Sequence, residues 1–444
     1  MGNTTSYGAN SIVHGTEGFI NANSGTTENY NGGGLSAEMK TFYDKTLLEL
    51  ASPNLVHMQF GQKRSIPPHG GRTIEFRKMK PLAKNANTIT EGITPAGSKM
   101  TVVPLTATLN QYGDYIEQTD LIETTSIDNT VIEATKLLAD QAGRTLDTVV
   151  RDVLQTGTNV YYCPNNMGEY MEEVYSRSYL DYGSRLRVVD VFKAAAQLKA
   201  LNVPTIDGKY VAIIHPHVAF DLMQQSGDAW IDIKKYADPE NILNGEVGTL
   251  GGVRFVESSE AKINYGKLLD ENVGHLKIKS YTNNGTNSVS DGCGITTPYQ
   301  ITVEGKFDSD IVGRLIQLNN PAYESFTAYK VVGANISSNI LFIENKLGDE
   351  DYTNLYLYAG EGGRFGIATY STLFLGRDAY GIIDINGSGT IEHIVKQRGY
   401  GNDPLNQRSS IGWKAFMAAA ILADEYILRV ESCSSFSYDI KEAN

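Results

Sequence analysis

Cysteine is scarce: Cys163, Cys293 and Cys433 stand more than a hundred positions apart in a chain of 444 residues. Such spacing makes neither a metal knuckle nor a disulfide framework, and the three read as free thiols. No apolar run is long enough to span a bilayer, which excludes a helical membrane protein. The opening MGNTTSYGANSIVHG lacks the basic and apolar regions of a secretory signal, so folding in the cytosol is the expectation. Basic charge is also short. With 38 Lys and Arg against 51 Asp and Glu the net charge is −13, which argues against a surface built to neutralise phosphates, although a local basic face can exist within an acidic whole.

Catalytic spacings are absent as well: there is no Gly-x-Ser-x-Gly elbow, no His-Glu-x-x-His, no phosphate loop and no dinucleotide fingerprint. His215 and His217 offer two metal ligands without a third, and Pro216 between them more simply opens a helix. Asp384, Asn386, Ser388, Thr390 and Glu392 alternate like a calcium loop, but its twelfth position is Val395, so a hairpin turn is the better reading. Neither Asp308 with Asp310 nor Glu350 with Asp351 has a partner that would mark a general acid and base. No catalytic residue, cofactor or metal site is expected. Tyrosine, by contrast, is plentiful, 26 against 14 Phe, which favours broad contact surfaces where the ring is buried and the hydroxyl stays wet.

The strongest local pattern runs from Asp128 to Gly157 and predicts one long helix over 129–156, roughly 40 Å in length. Asp128 can cap its first turn, Ile127 and Ile132 can staple it, and Gly157 can stop it. Val131, Thr135, Leu138, Ala142, Leu146, Val149 and Val153 form its apolar stripe. Glu133 with Lys136, Asp140 with Arg144, and Asp147 with Arg151 are placed on its solvent side as acid-then-base pairs.

Ahead of that helix, residues 1–34 contain 22 Gly, Asn, Thr and Ser and read as an arm, disordered when alone. An amphipathic helix is expected from Ser36 to about Leu50. Two alternating runs, Arg72 to Lys80 and Lys99 to Leu109, then predict a long hairpin with a polar tip. Its apolar face needs cover from the chain's own core or from a neighbouring copy. Lys63, Arg64, Arg72, Arg77, Lys78, Lys80 and Lys84 oppose only Glu75, a sum of +6; Asp114, Glu117, Asp120, Glu123, Asp128 and Glu133 sum to −6. Charge runs are usually solvated faces, but adjacent blocks of opposite sign also suit head-to-tail docking between copies. These residues are the candidates for inter-subunit contact.

From Asp190 the pattern is mixed α/β: a helix over 191–202, the strand YVAIIH, a helix opened by Pro216 and the strand GGVRFVES. It resumes near Tyr370 with STLFLGRDAYGIIDI. Between them, residues 266–362 hold 11 Gly and short apolar runs at turn-separated spacing, as in a β-sandwich or small barrel. IGWKAFMAAAILADEYILRVES reads as a buried strand pair beside the long helix, although its first half also fits a helix.

The blocks LTATLNQYGDYIEQTDLIETTSID, IIHPHVAFDL, GGVRFVES, LGRDAYGI and DPLNQRSSIGWKAF, in this order, resemble the major capsid proteins of tailed bacteriophages with the HK97-type fold, particularly the N4-like branch. The resemblance implies an α+β fold with an N-terminal arm (1–50), an extended loop with flanking strands (51–110), and a peripheral domain (111–185 and 403–444) carrying the long helix as its spine. It also implies an axial domain (186–265 and 363–402); residues 266–362 depart from simpler members and read as an inserted all-β, sandwich-like domain facing outward. The function it implies is that of a structural subunit, not an enzyme, self-assembling as hexamers and pentamers into an icosahedral shell around double-stranded DNA. Portal, scaffolding and decoration proteins would be its partners, with the packaged DNA bound without sequence specificity and no membrane involved. Assembly would take place in the host bacterial cytoplasm, and the protein would reside in the virion. An encapsulin-type compartment is the alternative on the same fold; an enzyme with an unrecognised site and a surface adhesin are the rivals outside it.

Overall fold

The structure is a computed structural model and describes residues 55–66, 71–79, 82, 84–86, 88, 91, 97–125, 130–166, 171–226, 231–232, 245–270, 273–283, 289–290, 296–297, 299–319, 327–347, 352–385, 391–396, 405–440 and 444. The expected arm, the helix from Ser36, the capping Asp128 and Ile127, and Lys80 lie outside these residues. Two compact units divide the chain: one takes the described residues up to Thr156 with Asp378–Asp424, the other Gly157–Arg377 with Glu425–Asn444.

The first unit is a sheet built on the long strand Arg408–Ile421. Asn110–Thr119 pairs antiparallel along one side of it, Tyr380–Ile385 and Ile391–Lys396 along the other, and Gln62–Ile66 lies parallel outside Tyr380–Ile385. Alternation sorts the long strand's side chains. Ile411, Trp413, Ala415 and Met417 are all buried on one face, where the Trp413 indole N–H donates to Gln141 of the long helix at 3.2 Å.

That helix spans Thr130–Leu154, close to the expected bounds. It closes through Gln155 N–H to Arg151 O and Thr156 N–H to Val153 O, so the stop is in place before Gly157. Thr135, Leu138, Ala142 and Leu146 are buried as expected, but further along the buried positions are Val150 and Leu154, not Val149 and Val153. Glu133 and Lys136 do pair on the surface, at 2.8 Å. Asp147 and Arg151 do not form the expected solvent-side pair, because both are buried. Asp147 instead accepts the His57 N–H at 2.7 Å and meets His57 Nδ1 at 2.6 Å, while Arg151 reaches Asp152 at 2.9 Å. The Tyr380 hydroxyl donates to the His57 carbonyl oxygen, and burial pushes that hydroxyl's pKa up, with the charge of Asp147 adding to the shift. A buried carboxylate is tolerable only when hydrogen-bonded in this way.

The hairpin forms as expected, Thr73–Met79 against Val102–Thr108, with Thr73 opposite Thr108 and Met79 opposite Val102. Its root is covered by the chain itself: Phe76, Ala107 and Leu109 pack with Ile66, Ile383 and Ala418. Gly381 permits this approach, since a Cβ there would lie 2.7 Å from the Phe76 ring.

The second unit holds an eight-stranded sheet in which Tyr210–Ile214, buried along its whole length, lies between Val253–Glu257 and Thr369–Leu375. Helix Val188–Ala200 starts earlier than its expected first residue, 191, because Arg187 and Asp190 make a capping box there. Helix Pro216–Ser226 opens on the proline as expected. Both helices contribute to a core with Phe255, Phe374 and Val430. One expectation is corrected. Arg408–Ile421 and Ile427–Ser432 are both strands, but they are not a pair: the first belongs to the sheet of the first unit and the second lies beside Thr369–Leu375.

Within the second unit, strands Leu276–Asn283, Tyr299–Glu304, Ile340–Ile343, Ala328–Asn335, Leu315–Asn319 and Tyr356–Ala359, in that spatial order, close into an antiparallel barrel. Leu276, Ile278, Ile301, Ile316, Val331, Leu341, Ile343 and Leu357 fill it, each fully buried. At about 1.5–3 kcal/mol for each large apolar side chain removed from water, this core is a substantial one for its length. Ile263, just before the barrel, is the cross-strand partner of Tyr370, just after it.

Candidate inter-subunit surface

Lys63 and Arg64 are exposed on the strand Gln62–Ile66, the Arg64 guanidinium lying 5.3 Å from the centre of the Phe76 ring. Arg72 does something else. Its Nε donates to Leu109 O at 2.8 Å and its terminal nitrogen to Asn110 Oδ1 at 3.2 Å, so this residue locks the root of the hairpin. Arg77 is exposed but lies 3.2 Å from Glu75 on its own strand. Lys78 is half-buried and Lys84 exposed. Of the basic block, Lys63, Arg64 and Lys84 are thus presented outward.

Of the acidic block, Asp114 accepts from Gln141 Nε2 at 2.6 Å, which ties it to the long helix. Glu117 is half-buried, and its Oε2 has no hydrogen-bond partner among the described residues. Asp120 is half-buried, and its N–H donates to Gln407 O as the short helix Asp120–Thr125 begins. Glu123 is on that helix with its side chain outside the described part, and Asp128 lies outside altogether.

The two blocks are not brought together within the sheet. Tyr380–Ile385 and Arg408–Ile421 stand between Gln62–Ile66 and Asn110–Thr119, so the basic and acidic strands are three strand steps apart, roughly 14 Å. That exceeds the Debye length of about 8 Å at physiological salt, so Lys63 and Arg64 are largely screened from Asp114 and Glu117.

Two features escaped the sequence reading. On the sheet face away from the long helix, Gly113, Tyr115, Glu117, Ile394, Lys396, Ser410, Gly412 and Lys414 line a groove of about 840 Å³. Gly412 is what keeps it open, since a Cβ there would lie 2.8 Å from that of Tyr115, itself 62% exposed. The register would have been the signal, since it alone puts two glycines and a tyrosine on the face that the helix leaves bare. The other feature is the distal half of the hairpin, where Met79 (60%), Leu82, Met100 (68%) and Val102 are exposed although the root is buried.

His215 and His217 are accounted for without a metal. His215 Nδ1 accepts the His217 N–H at 3.2 Å, capping the helix that follows, and His217 Nδ1 lies 2.9 Å from the Tyr370 hydroxyl. Burial, with His217 adjacent, pushes the pKa of His215 down to about 4.

No protein-family model matches the chain, and no curated protein matches it. Solved structures similar to it include the capsid of Ralstonia phage GP4, with 11% identity over 84% of this chain and 87% of that one and a TM-score of 0.48. The capsid of the cyanophage P-SCSP1u gives 11% identity, 86% and 89% coverage and a TM-score of 0.46. The head of Helicobacter pylori bacteriophage KHP40 gives 11%, 84%, 87% and 0.41. TM-scores below 0.5 at such identity are too low to fix a function.

Proposed function

We propose that this chain is the major capsid protein of a tailed bacteriophage, of the HK97 type and the N4-like branch, and that its role is structural. Copies join as hexamers and pentamers into an icosahedral shell enclosing double-stranded DNA, assembled in the host cytoplasm with portal, scaffolding and decoration proteins as partners. The observation that carries this reading is the hairpin, whose root is anchored in its own unit while its distal half displays Met79, Leu82, Met100 and Val102. A two-stranded hairpin is marginal in water, and one that exposes four large apolar side chains is built to lie against something else. Opposite charge on the two outer strands of one sheet adds direction, because it lets a basic edge of one copy meet an acidic edge of the next. Many modest contacts of this kind, repeated round a closed shell, sum to a stable container. The closed barrel with adjoining ends supports the reading of residues 266–362 as an added domain.

The test is electron microscopy of the purified protein, beside the double variant Lys63→Glu, Arg64→Glu, which reverses the charge of the exposed edge strand. The wild type is expected to form closed particles whose yield falls as salt rises, and the double variant to stay folded but assemble poorly. Soluble monomers under all conditions, or normal and equally salt-dependent assembly of the variant, would refute the proposal; particles that enclose a protein cargo and never DNA would favour an encapsulin-type compartment.

A further inference from the structure

Residues 258–263 carry the chain from the strand Val253–Glu257 into Ile263–Asn264, and the side chain of Asn444 sits in that turn. Its Oδ1 accepts the Ile263 N–H at 2.8 Å, and its Nδ2 donates to the carbonyl oxygens of Ser259 at 3.0 Å and Ala261 at 2.8 Å. Its main-chain oxygen accepts from Lys262 Nζ at 2.7 Å. The turn has its own supports: Ser258 N–H donates to Ile214 O at 3.0 Å, Ala261 N–H to Ser258 O at 3.2 Å, and Glu260 N–H to Ser258 Oγ at 3.2 Å. One N–H and two carbonyl oxygens therefore converge on a single primary amide, supplied by the backbone and independent of the turn's side chains.

That pattern is selective. An aspartate would set a carboxylate oxygen against two carbonyl oxygens, a glutamine would carry its amide one methylene too far, and an alanine would leave all three groups without this partner. We infer that residues 259–263 form an asparagine-binding niche, and that Asn444 seated in it is a latch on the neck of the barrel segment. The neck is the place where the segment's two ends meet: Ile263 pairs with Tyr370 and Asn264 with Thr369, Ser371 N–H donates to Lys262 O at 3.0 Å, and Asn264 Nδ2 to Ser371 Oγ at 3.2 Å. A two-residue strand paired on one side is weakly held. On its other side, Asn444 Oδ1 accepts the Ile263 N–H as the carbonyl of a further strand would, so the neck gains a second line of hydrogen bonds.

The experiment compares the full chain with Asn444→Asp, Asn444→Ala and Asn444→Gln by hydrogen exchange at the Ile263 amide and by tryptic cleavage after Lys262. Loss of one well-made hydrogen bond in a local opening gives about a tenfold rise in both rates, and the aspartate variant is expected to exceed the alanine and the glutamine variants. Amides of Ile213 and Leu341 serve as controls and stay at wild-type rates. Rates within twofold of wild type in the aspartate and alanine variants would overturn the latch. Equal acceleration in all three variants would overturn the niche, since it would reflect lost packing with no reading of the amide. Protection at Ile263 that falls on tenfold dilution of the wild type would show Asn444 to come from a second copy and would overturn the intrachain latch.

Discussion

The sheet of the first unit and the barrel of the second solve the edge-strand problem in opposite ways. The barrel closes on itself, so each of its six strands has two neighbours and its apolar side chains point into a filled interior. The sheet ends in Gln62–Ile66 on one side and Asn110–Thr119 on the other, both charged, and the hairpin beside it shows apolar side chains at its far end. Closure gives independence from partners. Open charged edges disfavour indiscriminate strand addition while leaving room for one complementary surface. The same chain thus holds a closed barrel with a filled interior and a hairpin that, among the described residues, exposes apolar side chains beyond its buried root.

The largest test of this contrast is removal of the barrel. Replacing residues 266–362 by a short Gly/Ser linker is expected to leave the remaining sheets folded, because Ile263 and Tyr370 already face each other and closing a short loop costs little entropy. Circular dichroism and hydrogen exchange at Ile213 and Phe374 should be close to wild type, and particles should still form with less density at each subunit. Insoluble aggregate would mean that the barrel is woven into its neighbours.

Next in size is Asp147→Ala. Removing this carboxylate strands the buried His57 ring and N–H, a loss of about 3–5 kcal/mol confined to the first unit. Thermal unfolding should show that unit melting early while barrel amides keep their protection. Equal destabilisation of both parts would break the comparison.

Asp147 also marks where the sequence stopped being legible. Its i, i+4 spacing to Arg151 is that of a surface ion pair, and nothing local reveals that His57, ninety residues earlier, faces it. The same drift displaces the stripe from Val149 and Val153 to Val150 and Leu154: 3.6 residues per turn slides a buried line sideways over several turns, so a train of threes and fours admits two continuations. The hairpin was readable because alternation is a local signal. Barrel closure was not, since the strand spacing of 266–362 fits a sandwich equally well and the pairing of Tyr356–Ala359 with Leu276–Asn283 is set by contacts far apart in sequence. Arg72 entered the count of docking charges by its sign alone, and only its bonds to Leu109 and Asn110 give it a role at the hairpin root.

A smaller effect, in the second unit alone, follows from His215. Its neutral ring caps a helix, and burial lowers its pKa from 6.5 to about 4. Between those values the unfolded chain binds the proton and the folded one does not, so stability rises with pH: the contribution is fully present above 6.5 and is lost as pH falls towards 4. Its size is about 1–3 kcal/mol. His215→Asn keeps a capping acceptor without this titration, and should flatten the stability of the second unit across pH 4–6.5 relative to wild type. An unchanged slope in that variant would assign the acid sensitivity to other groups.

The smallest expected change in the isolated chain separates folding from assembly most cleanly. Met79 and Met100 are exposed, at 60% and 68%, and Phe76, Ala107 and Leu109 hold the hairpin root without them. The double variant Met79→Ser, Met100→Ser should therefore alter unfolding free energy by no more than about 0.5 kcal/mol, the usual range for surface changes. If the distal hairpin lies against another copy, the same variant loses apolar area at every repeated contact, and the protein concentration needed for particles should rise several-fold while the monomer melts as before. A surface substitution on the barrel segment at somewhat lower exposure, Ile336→Ser at 50%, should move neither quantity. A hairpin variant that assembles like wild type would show that the exposed methionines stay in solvent, and the contrast between a finished barrel and an unfinished hairpin would then rest on charge alone.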